Sequence, residues 1–144
     1  SVLSLLSLFW SLGWKKFKVY LVQNTDLDTL GWRVNLSVLN LIHFKRESGA
    51  EIHLVTGSGR ELCEFFATKY ECFDKVHFST TEQKLKGNLK SIYLIKIFGY
   101  NKFEYIGDSF RDIRVWQAAR KGYYPSKYAY KFFLLKRFLN LESI

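Results

Sequence analysis

Residues 103–113 read FEYIGDSFRDI. The apolar run 103–106 ends at Gly107, and a polar stretch with helical spacing follows. The pattern predicts a buried strand over 103–107 and a helix from about 109. Asp108 stands at the strand end and Asp112 one helical turn later. Two readings compete for this acidic pair. Hard carboxylate oxygens suit Mg²⁺, which keeps waters and takes one or two protein ligands. Ser109-x-x-Asp112 also fits a capping box, which satisfies a helix start without any metal. Capping explains Asp112 but not the Gly107-Asp108 strand end. The two residues therefore divide, with Asp108 as metal ligand and Asp112 as its support.

Outward from this stretch the chain alternates. NLSVLNLIHFKRESG (35–49) places Val38, Leu41, Ile42 and Lys45 at helical spacing and stops at Gly49. EIHLVTG (51–57) is a short apolar strand, and RELCEFFATKY (60–70) is a helix with Leu62, Phe65, Phe66 and Tyr70 on one face. KVHFST (75–80) is a second strand, and NLKSIYLIKIFG (88–99) is a helix, apolar nearly all round, that stops at Gly99. KFEYIGD is a third strand, and SFRDIRVWQAARKG (109–122) is a third helix. Strand–helix alternation over 51–122 predicts an α/β fold, with a Rossmann-like parallel sheet and crossover helices.

In such sheets ligands bind at the carboxyl ends of the strands. Three places qualify: Thr56-Gly57-Ser58, the loop TTEQKLKGNLK (80–90), and Gly107-Asp108. Thr56, Gly57 and Ser58 offer hydroxyls and backbone N–H groups at a helix start, which suits an anion. The plainer reading is that one of these hydroxyls caps the helix. Lys90, in the first turn of a helix, opposes the helix dipole and could neutralise a phosphoryl group. Lys84 and Lys86 compete with it for that role, and a solvated surface lysine is the plainer alternative.

The 144 residues suffice for one domain with a core, and 48% hydrophobic content with one proline marks a globular chain. From Arg120 onward six cations stand against Glu142 alone, giving +5 of the total +9 and leaving +4 for the first 119 residues. Such a tail suits an anionic surface. In YAYKFFLLKRFLNL (128–141), Phe132, Phe133, Leu135, Phe138 and Leu139 form an apolar side among Lys131, Lys136 and Arg137. A basic amphipathic helix over 126–144 follows, either docked on the domain or lying on a bilayer. Nucleic acid is not an expected partner. Cys63 and Cys72 form no ladder of spacings, which indicates a reducing, cytoplasmic setting, peripheral to a membrane if the tail binds one. His43, His53 and His77 lack zinc-ligand spacing. The opening SVLSLLSLFWSLGW (1–14) is uncharged, but is shorter than the ~20 residues of a membrane span. It reads as an amphipathic helix.

Taken in order, LVTGS (54–58), LKGNLK (85–90) and FEYIGDSFRDI resemble the later signature motifs of the haloacid dehalogenase superfamily of phosphohydrolases. FDKV (73–76), FGYNKFEYIGDS (98–109) and DIRVWQAA (112–119) look most like the phosphatase-like domain found ahead of some membrane prenyltransferases, with the phosphoserine phosphatases as wider relatives. The match runs from about Asn35 to Gly122. It implies Mg²⁺-dependent hydrolysis of a small phosphomonoester through an aspartyl-phosphate. Thr56, the Gly57 backbone and Ser58 would bind phosphate, Lys90 would hold the charges of nucleophile and phosphate, Asp108 would bind Mg²⁺ and Asp112 would support it. The family's DxDGT nucleophile motif is missing. DLDTL (26–30) is the nearest string, making Asp26 one candidate nucleophile; the other is a segment upstream of Ser1. On this view residues 1–33 form a helical cap-like segment, 34–125 the core without its first strand, and 126–144 the basic helix. The alternative is a non-catalytic module that binds a membrane, or a membrane-enzyme partner, through that tail.

Overall fold

The computed structural model describes residues 35–144 apart from positions 58, 108, 126–128 and 138. The cap-like segment 1–33, Asp26, Ser58 and Asp108 therefore lie outside the described residues.

Helix α1 (Leu36–Glu47) starts where Asn35 accepts the Val38 N–H, at 3.3 Å. It is followed by Gly49 at φ 92°, a conformation that costs glycine little. Then come β1 (His53–Val55), α2 (Arg60–Tyr70), β2 (Lys75–His77), α3 (Asn88–Phe98) and β3 (Glu104–Ile106). Helix α3 ends at Gly99, φ 96°. After β3 comes a 3₁₀ turn (Phe110–Asp112), then α4 (Ile113–Ala118), β4 (Lys121–Tyr124), α5 (Ala129–Lys136) and β5 (Leu141–Ser143).

All strand pairs are parallel. β1 pairs β2, with Leu54 opposite Val76, and β3, β4 and β5 form a second sheet in that order. Among the described residues no ladder joins β1 to β3. The fold is thus mixed α/β, with parallel strands in sheets of two and three. Both sheets nevertheless feed the same two cores, because successive strand residues point to opposite faces. Leu54, Ile106 and Tyr123 meet Val38 and Ile42 of α1 and Cys63 of α2. Val55, Tyr105 and Tyr124 turn the other way, onto Leu94 of α3, Val115 and Trp116 of α4 and Leu135 of α5.

Two predicted elements are corrected. The helix expected over 109–122 is a 3₁₀ turn and the six-residue α4, and Lys121–Tyr124 is a strand. Gly122 explains the break, since a Cβ there would lie 2.4 Å from Leu141 Cδ2 and 2.6 Å from Trp116 Cδ1, so only bare backbone fits between them. The tail expected as one helix over 126–144 holds α5 and then β5, whose Leu141 pairs with Gly122. Leu135 and Leu141 are buried, so the tail is part of the core.

Candidate functional site

Thr56 and Gly57 follow β1, and Gly107 follows β3. Thr56 is buried and donates its N–H to the His77 carbonyl at 2.9 Å, continuing the ladder past the last strand residue. Gly57 lies against the loop that leads into α3. A Cβ there would stand 3.0 Å from Lys86 Cγ and 3.1 Å from the Leu85 carbonyl oxygen. That loop is braced internally: Ser79 Oγ accepts the Leu85 N–H at 2.9 Å, and the Thr80 N–H donates to the Gln83 carbonyl at 2.8 Å. Its glycine, Gly87, turns at φ 52° to start α3.

Burial decides among the three lysines of this region. Lys84 and Lys86 are exposed, whereas Lys90 is 4% exposed on the inner face of α3. Its Nζ donates to Tyr105 Oη at 3.3 Å and lies 3.5 Å from Asp112 Oδ1. Tyr105 in turn donates to the same Asp112 Oδ1 at 2.9 Å. A buried ammonium, phenol and carboxylate, from α3, β3 and the 3₁₀ turn, thus form a closed triangle. A buried cation is tolerated only when paired and hydrogen-bonded, which this arrangement provides.

Asp112 also closes the predicted capping box. Ser109 Oγ accepts the Arg111 N–H at 3.2 Å, and Asp112 Oδ2 accepts the Ser109 N–H at 3.4 Å. Both oxygens of Asp112 therefore serve protein donors, with an ammonium beside one of them. Asp112 thereby holds Lys90 in place. Among the described residues there is no group of three or more His, Cys, Asp or Glu that could hold a metal ion.

Two polar clusters escaped the sequence reading. His53 Nδ1 and His77 Nε2 lie 2.8 Å apart, His53 Nε2 meets Glu51 Oε1 at 2.8 Å, and His77 Nδ1 meets the Tyr93 hydroxyl at 2.6 Å. With both rings neutral every contact is satisfied in one direction: Tyr93 O–H to His77, His77 N–H to His53, His53 N–H to Glu51. Burial, then the neighbouring His53 and Lys75, push the His77 pKa down to about 4. The second cluster centres on the buried Glu104. Its carboxylate accepts from Lys45 Nζ at 3.2 and 3.1 Å and from the Tyr123 hydroxyl at 2.9 Å, with the Arg120 guanidinium 3.7 Å away. Burial raises its pKa, but the Lys45 and Tyr123 hydrogen bonds and the Lys45 and Arg120 charges outweigh that and hold it below the usual range. Alternation could have flagged both, because His53 and Glu104 sit at inward strand positions where an apolar residue is the default.

No family model matches the chain, and no curated protein matches it.

Proposed function

We propose that the chain is a haloacid-dehalogenase-like phosphohydrolase domain on a Rossmann-like parallel sheet, acting on a small phosphomonoester. One observation carries this reading: the buried Lys90 ammonium, held by Asp112 and Tyr105 at the start of α3, beside the carboxyl end of β3. A fixed, desolvated cation at such a strand end stabilises charge that grows on a transferring phosphoryl group. Thr56 and the Gly57 backbone supply phosphate contacts, Lys90 supplies the charge, and Asp112 positions Lys90. Asp108 is the proposed Mg²⁺ ligand; the ion when bound screens the phosphate oxygens. In the proposed reaction a carboxylate oxygen attacks phosphorus as the ester P–O bond breaks, the leaving oxygen takes a proton, and water later cleaves the aspartyl-phosphate to free phosphate. Asp26 is the candidate for that carboxylate within the sequence.

The test is Mg²⁺-dependent hydrolysis of an aryl phosphate by the chain, beside Thr56→Val and Asp26→Asn. Thr56→Val exchanges the hydroxyl for a methyl group at a buried position and is expected to lower kcat/KM by about 10- to 100-fold. Activity lost in Asp26→Asn identifies DLDTL as the nucleophile segment. Activity that is untouched by Thr56→Val contradicts the assignment of Thr56.

A second reading has its own observation. Phe133 and Leu134 of α5 are 69% and 46% exposed beside exposed Lys136 and Arg137, a combination suited to an anionic bilayer. Because the tail carries β5, its deletion would damage the core. Co-sedimentation of Phe133→Ser/Leu134→Ser with phosphatidylserine vesicles is the cleaner test, and undiminished binding by this variant rejects the reading.

A further inference from the structure

Helix α3 is apolar on two opposite sides. Its inner arc, with Lys90, Ser91 and Leu94, is buried, and Leu94 packs among Val55 and Tyr105 of the strands. Its outer arc is Leu89, Ile92, Lys96 and Ile97, whose three apolar members are 54%, 62% and 40% exposed. Tyr100, just past the Gly99 stop, is exposed as well. A helix that is apolar all round belongs in apolar surroundings on every side, yet one side of α3 faces outward.

Charge narrows the choice of what covers it. Between Glu82 and Glu142 every exposed charge among the described residues is positive, because Glu104 and Asp112 are buried. Lys84 precedes the helix, Lys96 lies on its outer arc and Lys102 follows it. Arg114 stands exposed on the adjoining α4, where its carbonyl accepts from Ser91 Oγ at 3.0 Å. Helices α1 and α2 serve the other core and expose both signs, Arg46 with Glu47, and Glu61 and Glu64 with Lys69. An apolar surface flanked by cations alone fits an anionic partner.

Lys96 separates a bilayer from a protein groove. It sits in the middle of the apolar arc. In a groove its ammonium would lose water and need a matching carboxylate. At a bilayer its stem lies along the apolar boundary while the ammonium reaches the headgroup phosphates. The eleven-residue helix is roughly 16 Å long, too short to cross a membrane and suited to lying in its surface.

We infer that the outer arc of α3 is a docking surface for an anionic lipid bilayer, with Leu89, Ile92 and Ile97 entering the acyl boundary and Lys96 on the phosphates. The surface is distinct from Phe133 and Leu134 of α5, and it stands whether or not the phosphohydrolase reading holds.

The experiment co-sediments the chain with phosphatidylcholine vesicles, with and without phosphatidylserine. Leu89→Gln/Ile92→Gln puts good helix formers at exposed positions and is expected to weaken binding to the phosphatidylserine vesicles by about tenfold or more. Lys96→Gln is expected to weaken it about fivefold, the contribution of one lysine at an anionic surface. Both native thiols are buried, so a single added cysteine can carry an environment-sensitive dye. On Ile92→Cys its emission is expected to shift to the blue with phosphatidylserine vesicles, and on Thr68→Cys of α2 to stay unchanged. Undiminished binding by Leu89→Gln/Ile92→Gln, or a dye at position 92 that does not respond, overturns the proposal. Loss confined to Phe133→Ser/Leu134→Ser overturns it in favour of α5, and equal binding to both vesicle types overturns the anionic assignment. Self-association that the α3 variant abolishes, without vesicle binding, overturns it in favour of a second copy of the chain.

Discussion

Lys90 Nζ stands 3.5 Å from Asp112 Oδ1, and each of the two side chains is only 5% exposed. The contact ties the first turn of α3 to the turn that follows β3, and Tyr105 bonds to both partners. Removing one partner strands the other charge in the interior, which costs about 3–5 kcal/mol. Asp112→Asn is therefore expected to lower stability by roughly that amount. Lys90→Met added to it removes the stranded ammonium, so the double variant should be more stable than Asp112→Asn alone. Urea midpoints of the four proteins measure the coupling; strictly additive losses would show that the pair does not interact.

Acid should weaken the fold from an unusually high starting pH. His77 stays neutral in the folded protein down to about pH 4, while an unfolded histidine protonates near pH 6.5. The unfolded chain therefore gains the proton first, and stability falls as pH drops from about 6.5 toward 4. Glu104 acts lower on the scale. Its folded pKa is depressed, so its contribution is full above the ordinary carboxylate value and is lost as pH falls through the folded one. Denaturant midpoints at pH 7 and pH 5.5 isolate the histidine effect. A drop that persists unchanged in His77→Gln would assign it elsewhere.

Three buried carboxylate contacts depend on one side chain at Glu104. Glu104→Gln keeps the shape but loses the charge that holds Lys45, and a loss of about 1–3 kcal/mol is expected. Adding Lys45→Met should recover part of it, as read by thermal unfolding.

Glycines 107 and 122 tolerate no methyl group. A Cβ on Gly107 would lie 2.7 Å from both Asp112 Oδ2 and Tyr105 Cε1, and one on Gly122 would lie 2.4 Å from Leu141 Cδ2. Alanine at either position should cost about 1–3 kcal/mol through forced repacking. Gly49, with nothing within 4 Å of an added Cβ, meets no such clash. Its cost at φ 92° is conformational alone. Matched unfolding curves for the three alanine variants test this ranking.

Neither thiol should react in the native protein. Cys63 and Cys72 are free and buried, and burial, helped by Glu64, pushes the Cys63 thiol up to about 11. Burial also raises Cys72. An aromatic disulfide reagent at neutral pH should therefore titrate both only after denaturant is added. Prompt labelling without denaturant would mean that the cores around α2 open readily.

What was legible in the sequence was set by punctuation and period. Gly49, Gly57, Gly99 and Gly107 marked element ends that the structure keeps, and three of the five strands were read in place. The capping box at Ser109 and Asp112 was also legible, because it is a local pattern between residues three apart. Strands β4 and β5 were not. They are short, and KGYY and LES take their strand character from neighbours distant in the chain: Glu104 opposite Lys121, and Gly122 opposite Leu141. Lys90 was legible as a candidate, but its Tyr105 partner was not, since nothing local shows that an aromatic of a strand will reach a helix and a turn. The histidine chain was missed for the same reason, its links running between β1, β2 and α3.

The succession β3, β4, β5 carries a consequence for how the molecule assembles. β4 and β5 each lie beside the strand that precedes them in the chain and are reached through one short crossover, so the C-terminal sheet closes small loops at low entropic cost. It has the makings of an early folding unit, on whose surface α3 settles and Lys90 is carried inward to Asp112. The buried Lys90 ammonium would then be the last charge to lose its water, and the hydration state of one side chain would report completion of the fold.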